Sequence, residues 1–251
     1  MSALRIERQG SVLRITLARP ERRNAFDAAL IAELAEAFGE VGDVRAVVLS
    51  GEGASFCAGA DVEWQRSAID LTYDENVEDA MRLYRMLEAV DSCPAPVVAR
   101  VHGFALGGGS GLVACADVVI AADDAVFGFS EVRLGIVPAV ISPFVLRRIG
   151  PAAARRYFLT GERFGADVAL RIGLVHDVAS DSQAAAESIV ESLLQGGPEA
   201  VRAAKLLALR RPEGEETARI AAARRTSDEG QEGLRAFLEK RAPAWRSGSS
   251  S

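Results

Sequence analysis

Two glycine-rich stretches decide how this chain is read: SGEGASFCAGADV, Ser50 to Val62, and VHGFALGGGSG, Val101 to Gly111. Each directly follows a short apolar run, RAVVLS (Arg45–Ser50) and PVVARV (Pro96–Val101), of the kind that forms a buried strand. Small residues after a strand end let a ligand approach the backbone, and a helix that starts there offers free N–H groups. Two such loops side by side can present two N–H donors to one oxygen. Neither stretch is a P-loop, since no GK[ST] follows, and neither is a GxGxxG with a partner acid.

The strand–loop–helix rhythm extends on both sides. Leu13, Ile15 and Leu17 alternate with Arg14 and Thr16 as in a half-buried strand. Asp27 is placed as an N-cap, with Leu30, Ile31, Leu34 and Phe38 at helical spacing before Gly39. A helix is predicted over Val77–Val90, another from Gly108 to about Ala114, and a strand over Val118–Ala121. This alternation indicates an α/β architecture. From Ser142 onward almost no strand pattern is visible; Ala152–Leu159, Asp167–Ile172, Ala184–Leu194, Glu199–Leu209 and Glu215–Glu239 read as helices.

Composition narrows the function. The 251 residues are 49% apolar and 25% charged, the balance of a globular protein, and the excess of Ala over aromatics (6%) predicts a core of small aliphatic side chains. A net charge of −6 with no basic cluster excludes a general nucleic-acid binder. Three unspaced cysteines, Cys57, Cys93 and Cys115, point to a reducing compartment, with Cys57 read as a small buried hydrophobe. Two isolated histidines, His102 and His176, supply neither a metal site nor a Ser-His-Asp triad. MSALRIERQG has no apolar signal-peptide core, and the longest uncharged run, Gly103–Ala116, is too short for a membrane span, so a cytoplasmic protein is expected.

The order of motifs resembles the crotonase, or enoyl-CoA hydratase/isomerase, superfamily. ITLARPERRNAFD (Ile15–Asp27) is similar to its opening strand and RPxxRNA segment, and SFCAGADV to its FxA/SGAD loop. HGFALGGGSGL is similar to its GxxxGGGxxL stretch. ACADVVIAADDAVFGFSEVRLGIVP is similar to its CDxxxA followed by FxxP/SExxxGxxP, and Glu232–Trp245 to its C-terminal EGxxAFxEKRxP. The implied fold is an α/β crotonase-like spiral of repeated ββα units, core 1–190, with a helical trimerisation region, 191–251, that ends in a flexible Ser/Gly tail.

The resemblance also implies a site. The N–H groups of Ala60 and Gly108 would hold the thioester oxygen of an acyl-CoA as an enolate forms, and Glu131 would be the general acid/base. Arg22, Arg23, Ala25, Ala58, Asp61 and Val62 would line the CoA path; Phe237 and Lys240 would reach the CoA of an adjacent subunit in a trimer or paired trimers. No cofactor beyond the substrate's CoA and no metal is implied. Hydratases of the family carry a second glutamate where this chain has Gly111, and LGIVPAVISPFVLRRIG stands in place of their PGxGGT. Both departures resemble a subgroup that hydrates branched glutaconyl-type CoA esters, which favours hydration; the alternatives are a Δ3,Δ2-enoyl-CoA isomerase or another single-glutamate crotonase, or a non-catalytic acyl-CoA-binding member. A distal carboxylate on the acyl chain calls for a cation, with Arg82, Arg85 and Arg133 as candidates. Seven glycines, Gly51, Gly53, Gly59, Gly103, Gly107, Gly108 and Gly109, are expected to bring backbone close to the thioester.

Overall fold

The computed structural model describes residues 2–246; the Ser/Gly tail, 247–251, lies outside the described residues. A six-stranded sheet is ordered β1–β2–β3–β4–β6–β9 and a three-stranded one β5–β7–β8. The strands are β1 (Leu4–Gln9), β2 (Val12–Leu17), β3 (Ala46–Gly51), β4 (Val97–Val101), β5 (Phe104–Leu106), β6 (Val118–Ala121), β7 (Val126–Gly128), β8 (Arg163–Gly165) and β9 (Asp177–Val178). From β2 to β9 every neighbour in the large sheet is parallel; β1 joins as an antiparallel edge.

The helices are α1 (Ala28–Gly39), α2 (Val62–Ser67), α3 (Tyr73–Asp91), α4 (Gly108–Cys115), α5 (Ser142–Thr160), α6 (Ala166–Arg171), α7 (Ser182–Gln195), α8 (Pro198–Arg210), α9 (Glu215–Thr226) and α10 (Asp228–Leu238). Asp27 caps α1 through Leu30 N–H at 2.9 Å, and Leu30, Ile31, Leu34 and Phe38 are buried, as the spacing requires. One sheet face, with Ile15, Leu17, Val47, Leu49, Val97 and Ala99, packs into the main core with residues of α1, α3 and α4. The other, with Val48, Val98 and Ile120, receives Ala186 and Val190 of α7.

Several expectations change. The core is not only small aliphatics: Phe26, Phe38, Phe56, Phe127 and Phe129 are all fully buried, so a few large rings fill what Ala and Val leave. The second half does contain strands, β8 and β9, of three and two residues, too short to show an alternation. β1 was not visible because only Leu4 of its six residues is buried. The helix read at Ala152–Leu159 is the end of α5, which is interrupted at Gly150 (φ 71°, ψ 165°) just before Pro151. Glu215–Glu239 is two helices, because Ser227 adopts an extended conformation and caps α10 through Gly230 N–H at 3.1 Å.

Position 190 lies inside α7, and Leu193 and Leu194 still share the cluster on the sheet. The chain leaves the sheet at Gly196–Gly197. Arg45 fastens this departure, donating to Leu194 O (2.8 Å), Gly196 O (2.6 Å) and Trp245 O (3.1 Å). Lys205 of α8 reaches back to Asp117 at 2.7 Å.

Four of the seven glycines turn out to serve this architecture. A Cβ on Gly103 would lie 2.0 Å from Ala54 O, on Gly109 2.3 Å from Cys57 O, on Gly59 2.8 Å from Leu106 O, and on Gly51 2.7 Å from Phe56 O. Gly59, Gly103 and Gly109 let the two glycine-rich loops pack backbone against backbone, and Gly51 serves the turn within the first; Gly53 faces Pro20, Gly107 faces Glu131 and Gly108 faces Phe26. Gly103→Ala (φ +54°) should therefore cost about 3 kcal/mol or more. Gly10→Ala (φ +58°, open space around its Cβ) should cost only about 1 kcal/mol. Urea denaturation of the two variants checks this; equal losses would refute the packing argument.

Candidate functional site

Strands β3 and β4 run parallel and end side by side, so the loops after them meet at the carboxyl edge of the sheet, where open α/β sheets place ligands. The loops are stitched together: Phe56 N–H donates to His102 O (2.9 Å), Cys57 N–H to Phe104 O (2.9 Å) and Leu106 N–H to Cys57 O (3.0 Å). Beside this seam lies a cavity of about 420 Å³, whose lining includes Ala58, Gly59, Ala60, Gly107, Gly108 and Glu131. Ala60, Gly108 and Glu131, singled out from sequence, are thus brought to one place.

The two backbone donors are set up by their neighbours. Asp61 N–H donates to Phe26 O (2.8 Å), Gly107 N–H to Gly128 O (2.8 Å) and Gly111 N–H to Gly107 O (3.0 Å). Ala60 and Gly108 N–H donate to no turn, loop or cap acceptor among the described residues. Gly108 is the first residue of α4, so its N–H belongs to the free donors of a helix N-terminus, where the macrodipole adds positive potential. Gly107 (φ 51°) turns the chain into that helix.

Glu131 opens a short 3-10 turn, Glu131–Leu134. Its Oε1 would be 3.1 Å from a Cβ on Gly107, so the carboxyl lies against the turn into α4. Its Oε2 is out of contact with water and has no hydrogen-bond partner. Desolvation holds the Glu131 carboxyl above its ordinary value of 4.5. The wall around it is largely apolar: Leu106, Leu134, Ile136, Val137, Val140 and Ile141.

The remaining sequence-derived residues divide. Ala58 lines the cavity, but Asp61 and Val62 do not. Asp61 is buried and structural: its carboxylate caps α2 through Glu63 N–H (2.8 Å) and pairs with Arg22 (3.1 Å). It titrates low because these hydrogen bonds outweigh the upward push of burial, its largest single influence. Val62 is 69% exposed, on the outer side of α2. Arg22 is held by Asp61 and by Glu63 at 3.0 Å, whereas exposed Arg23 pairs with no carboxylate among the described residues. Ala25 is buried. Phe237, 80% exposed, and Lys240 are absent from the cavity lining of their own chain.

None of the three candidate cations lines the cavity. Arg85 pairs with Glu78 (3.0 Å), Arg82 lies 4.0 Å from Asp79, and Arg133 points elsewhere, against Gly161. The cation on the wall is Arg163, which sequence reasoning missed. It pairs across Gly128 in the β7–β8 register, and its guanidinium sits 5.5 Å from the Phe104 ring centroid. A three-residue strand gave no signal for it. Asn76 and Asp79 of α3 were also missed; the Trp64 indole reaches Asp79 at 3.4 Å.

Cys57 is fully buried and its thiol is pushed up to about 12 by desolvation, which makes it a packing residue. His176 accepts from Val119 N–H at 2.9 Å and His102 contacts Gly53 O at 2.8 Å, each serving the scaffold. A larger depression, about 680 Å³, lies on the outer sheet face. Its charges largely neutralise one another, as in Arg14–Glu187 (2.8 Å) and Arg5–Glu52.

Comparison with known proteins agrees with this geometry. The family model described as enoyl-CoA hydratase/isomerase matches residues 7–248. The structure of Pseudomonas aeruginosa AtuE superposes with a TM-score of 0.93 at 41% identity, covering 97% of this chain and 99% of that one. An enoyl-CoA hydratase from Shewanella pealeana gives 0.92 at 38% identity, covering 97% and 96%. A Thermus thermophilus relative grouped with the enoyl-CoA hydratases is 36% identical over 247 residues, 94% of this chain and 97% of its own. With a shared fold over 97% of the chain and a family match that spans both loops and Glu131, the chain belongs to the enoyl-CoA hydratase/isomerase family.

Proposed function

We propose that the chain hydrates the 2,3-double bond of an acyl-CoA thioester, with Glu131 as its acid/base and the Ala60 and Gly108 N–H groups as the oxyanion donors. The observation that carries this is the Glu131 carboxyl, desolvated and with one oxygen unpartnered, in the same cavity as two free backbone donors. As a carboxylate, Glu131 takes one proton from water while the water oxygen bonds to Cβ. The π electrons move onto the thioester oxygen, where the two N–H groups meet the growing charge, each worth about 10²–10³ in rate. The protonated Glu131 then returns its proton to Cα as the enolate collapses. One carboxyl group closes the proton balance, and an elevated proton affinity suits a group that must both accept and donate. Nothing in this sequence of steps needs a cofactor beyond the CoA of the substrate.

The acyl group we infer is a branched glutaconyl-type chain. Arg163 is a cation on the cavity wall with no carboxylate partner among the described residues, and a distal carboxylate would pair with it. The apolar stretch from Leu134 to Ile141 suits the branch. Arg23, with Arg22 nearby, and Ala58 flank the path proposed for CoA. Leu234, Phe237 and Leu238 leave an apolar patch exposed along α10, as expected of a trimer contact that would bring Phe237 and Lys240 to a neighbour's CoA. Among the described residues no helix is long and apolar enough to cross a membrane; a cytoplasmic location is part of this proposal. The second reading, a Δ3,Δ2-enoyl-CoA isomerase, is favoured by the same single carboxylate, which can carry one proton between two carbons.

Glu131→Gln should lower turnover of a 2-enoyl-CoA by about 10²–10⁴ while butyryl-CoA binding stays within a few-fold. Near-normal turnover would sink the assignment. In H₂¹⁸O, a hydratase places label on the product carbon; an isomerase given a 3-enoyl-CoA leaves it unlabelled.

Stability supplies an independent check. The folded state holds Glu131 above its unfolded value of 4.5, so below that value both states are protonated and the group costs nothing. As pH rises from that value to the folded one, the unfolded state gives up its proton first and stability falls, levelling off above the folded value. Glu131→Gln should therefore raise the denaturation midpoint at pH 8 and leave it unchanged at pH 4. An equal shift at both values would contradict a desolvated carboxyl.

A further inference from the structure

The position at which the family resemblance implies a second glutamate is occupied here by Gly111, in the middle of α4. Its backbone is helical, so a side chain there meets no conformational barrier, and Ala at a helix-interior glycine is normally stabilising. Space is the obstacle. A Cβ on Gly111 would lie 2.4 Å from Cγ2 and 2.8 Å from Cβ of Ile141. Ile141 is itself 2% exposed and fixed at the start of α5, where its carbonyl accepts from Val145 N–H at 3.1 Å. It lines the cavity that holds Glu131, and Gly111 does not. The isoleucine therefore stands between α4 and the substrate space.

We propose that Ile141 is a specificity-determining residue that works as a pair with Gly111: its side chain fills the volume that a second acid/base would take. The cavity then presents one carboxyl group and an apolar surface where the other would be. The two departures from the family pattern, Gly at 111 and PAVIS at 138–142 in place of a glycine-rich segment, become one physical feature. A side chain can return at 111 only if the one at 141 shrinks. This rests on the site described under Proposed function but not on which reaction occurs there, and its test separates the two.

The steric half is read by melting temperature. G111A should lower Tm by about 2–12 °C in the wild-type background, the loss that overpacking a closed core gives at this chain length. In an I141A background the same change should cost less than about 2 °C. Equal losses in both backgrounds would overturn the pairing. The chemical half compares I141G with the double variant G111E/I141G through the pH dependence of butyryl-CoA binding, measured by calorimetry. The double variant should show a second ionisation between pH 4 and 9 that I141G lacks. An unchanged pH profile would mean that position 111 does not face the substrate and would overturn the proposal. Butyryl-CoA has no double bond, so this arm is read even if the hydratase reading fails. Turnover of crotonyl-CoA should rise at least 10-fold from I141G to the double variant if hydration is the reaction.

Discussion

The site depends on one constraint: two loops from adjacent parallel strands must touch through their backbones. Three cross-loop hydrogen bonds, at 2.9, 2.9 and 3.0 Å, hold the segment around Phe56–Cys57 against His102–Leu106. That contact leaves no room for a Cβ at Gly59, Gly103 or Gly109. Once the seam is closed, Ala60 and Gly108 fall on the same side of it, and the bonds made by Asp61 and Gly107 set the direction of the chain around them. The donors are fixed before any ligand arrives, which is what preorganised electrostatic stabilisation requires.

The same seam explains where Glu131 lies. Strand β7 pairs with β5, the Gly128 carbonyl accepts from Gly107 N–H, and the chain then turns back into Glu131–Leu134. The carboxyl is therefore delivered against the N-terminus of α4 by sheet registry. Leu134 and Ile136 to Ile141 line the cavity beside it, and burial of the carboxyl raises its proton affinity. Positive potential from the helix N-terminus and an apolar wall act oppositely on a carboxylate; with an unpartnered oxygen, desolvation prevails here.

Much of this was legible in the sequence because strong local patterns carry it. The strands before each loop, the Asp27 cap and the helix from Gly108 are short-range features, and they stand where periodicity put them. Reading the glycines as ligand contacts was only partly right, because sequence shows that a side chain is excluded but not what excludes it; for Gly109 it is Cys57 O, not a thioester. The Asp61 side chain is a helix cap, a role that an Asp before VEW in a six-residue helix announces as readily as a ligand contact. Arg163 was illegible because its place depends on a three-residue strand pairing across Gly128. The break at Ser227 was missed because the alanines and arginines before it and Glu229 and Gln231 after it favour helix, while the serine hydroxyl caps the next helix.

The absence at Gly111 is better understood as a presence at Ile141. A site that had simply lost a glutamate would hold a polar gap, and water there would hydrate Glu131 and lower its proton affinity. Filling the volume with a β-branched side chain keeps the surroundings apolar and leaves the one carboxyl group desolvated. A carboxyl that must take a proton from water and give it to carbon needs such an affinity more than a member of a pair, which can divide the two tasks. The packing of Ile141 against α4 and the state of Glu131 are thus linked through the apolar lining of a single cavity.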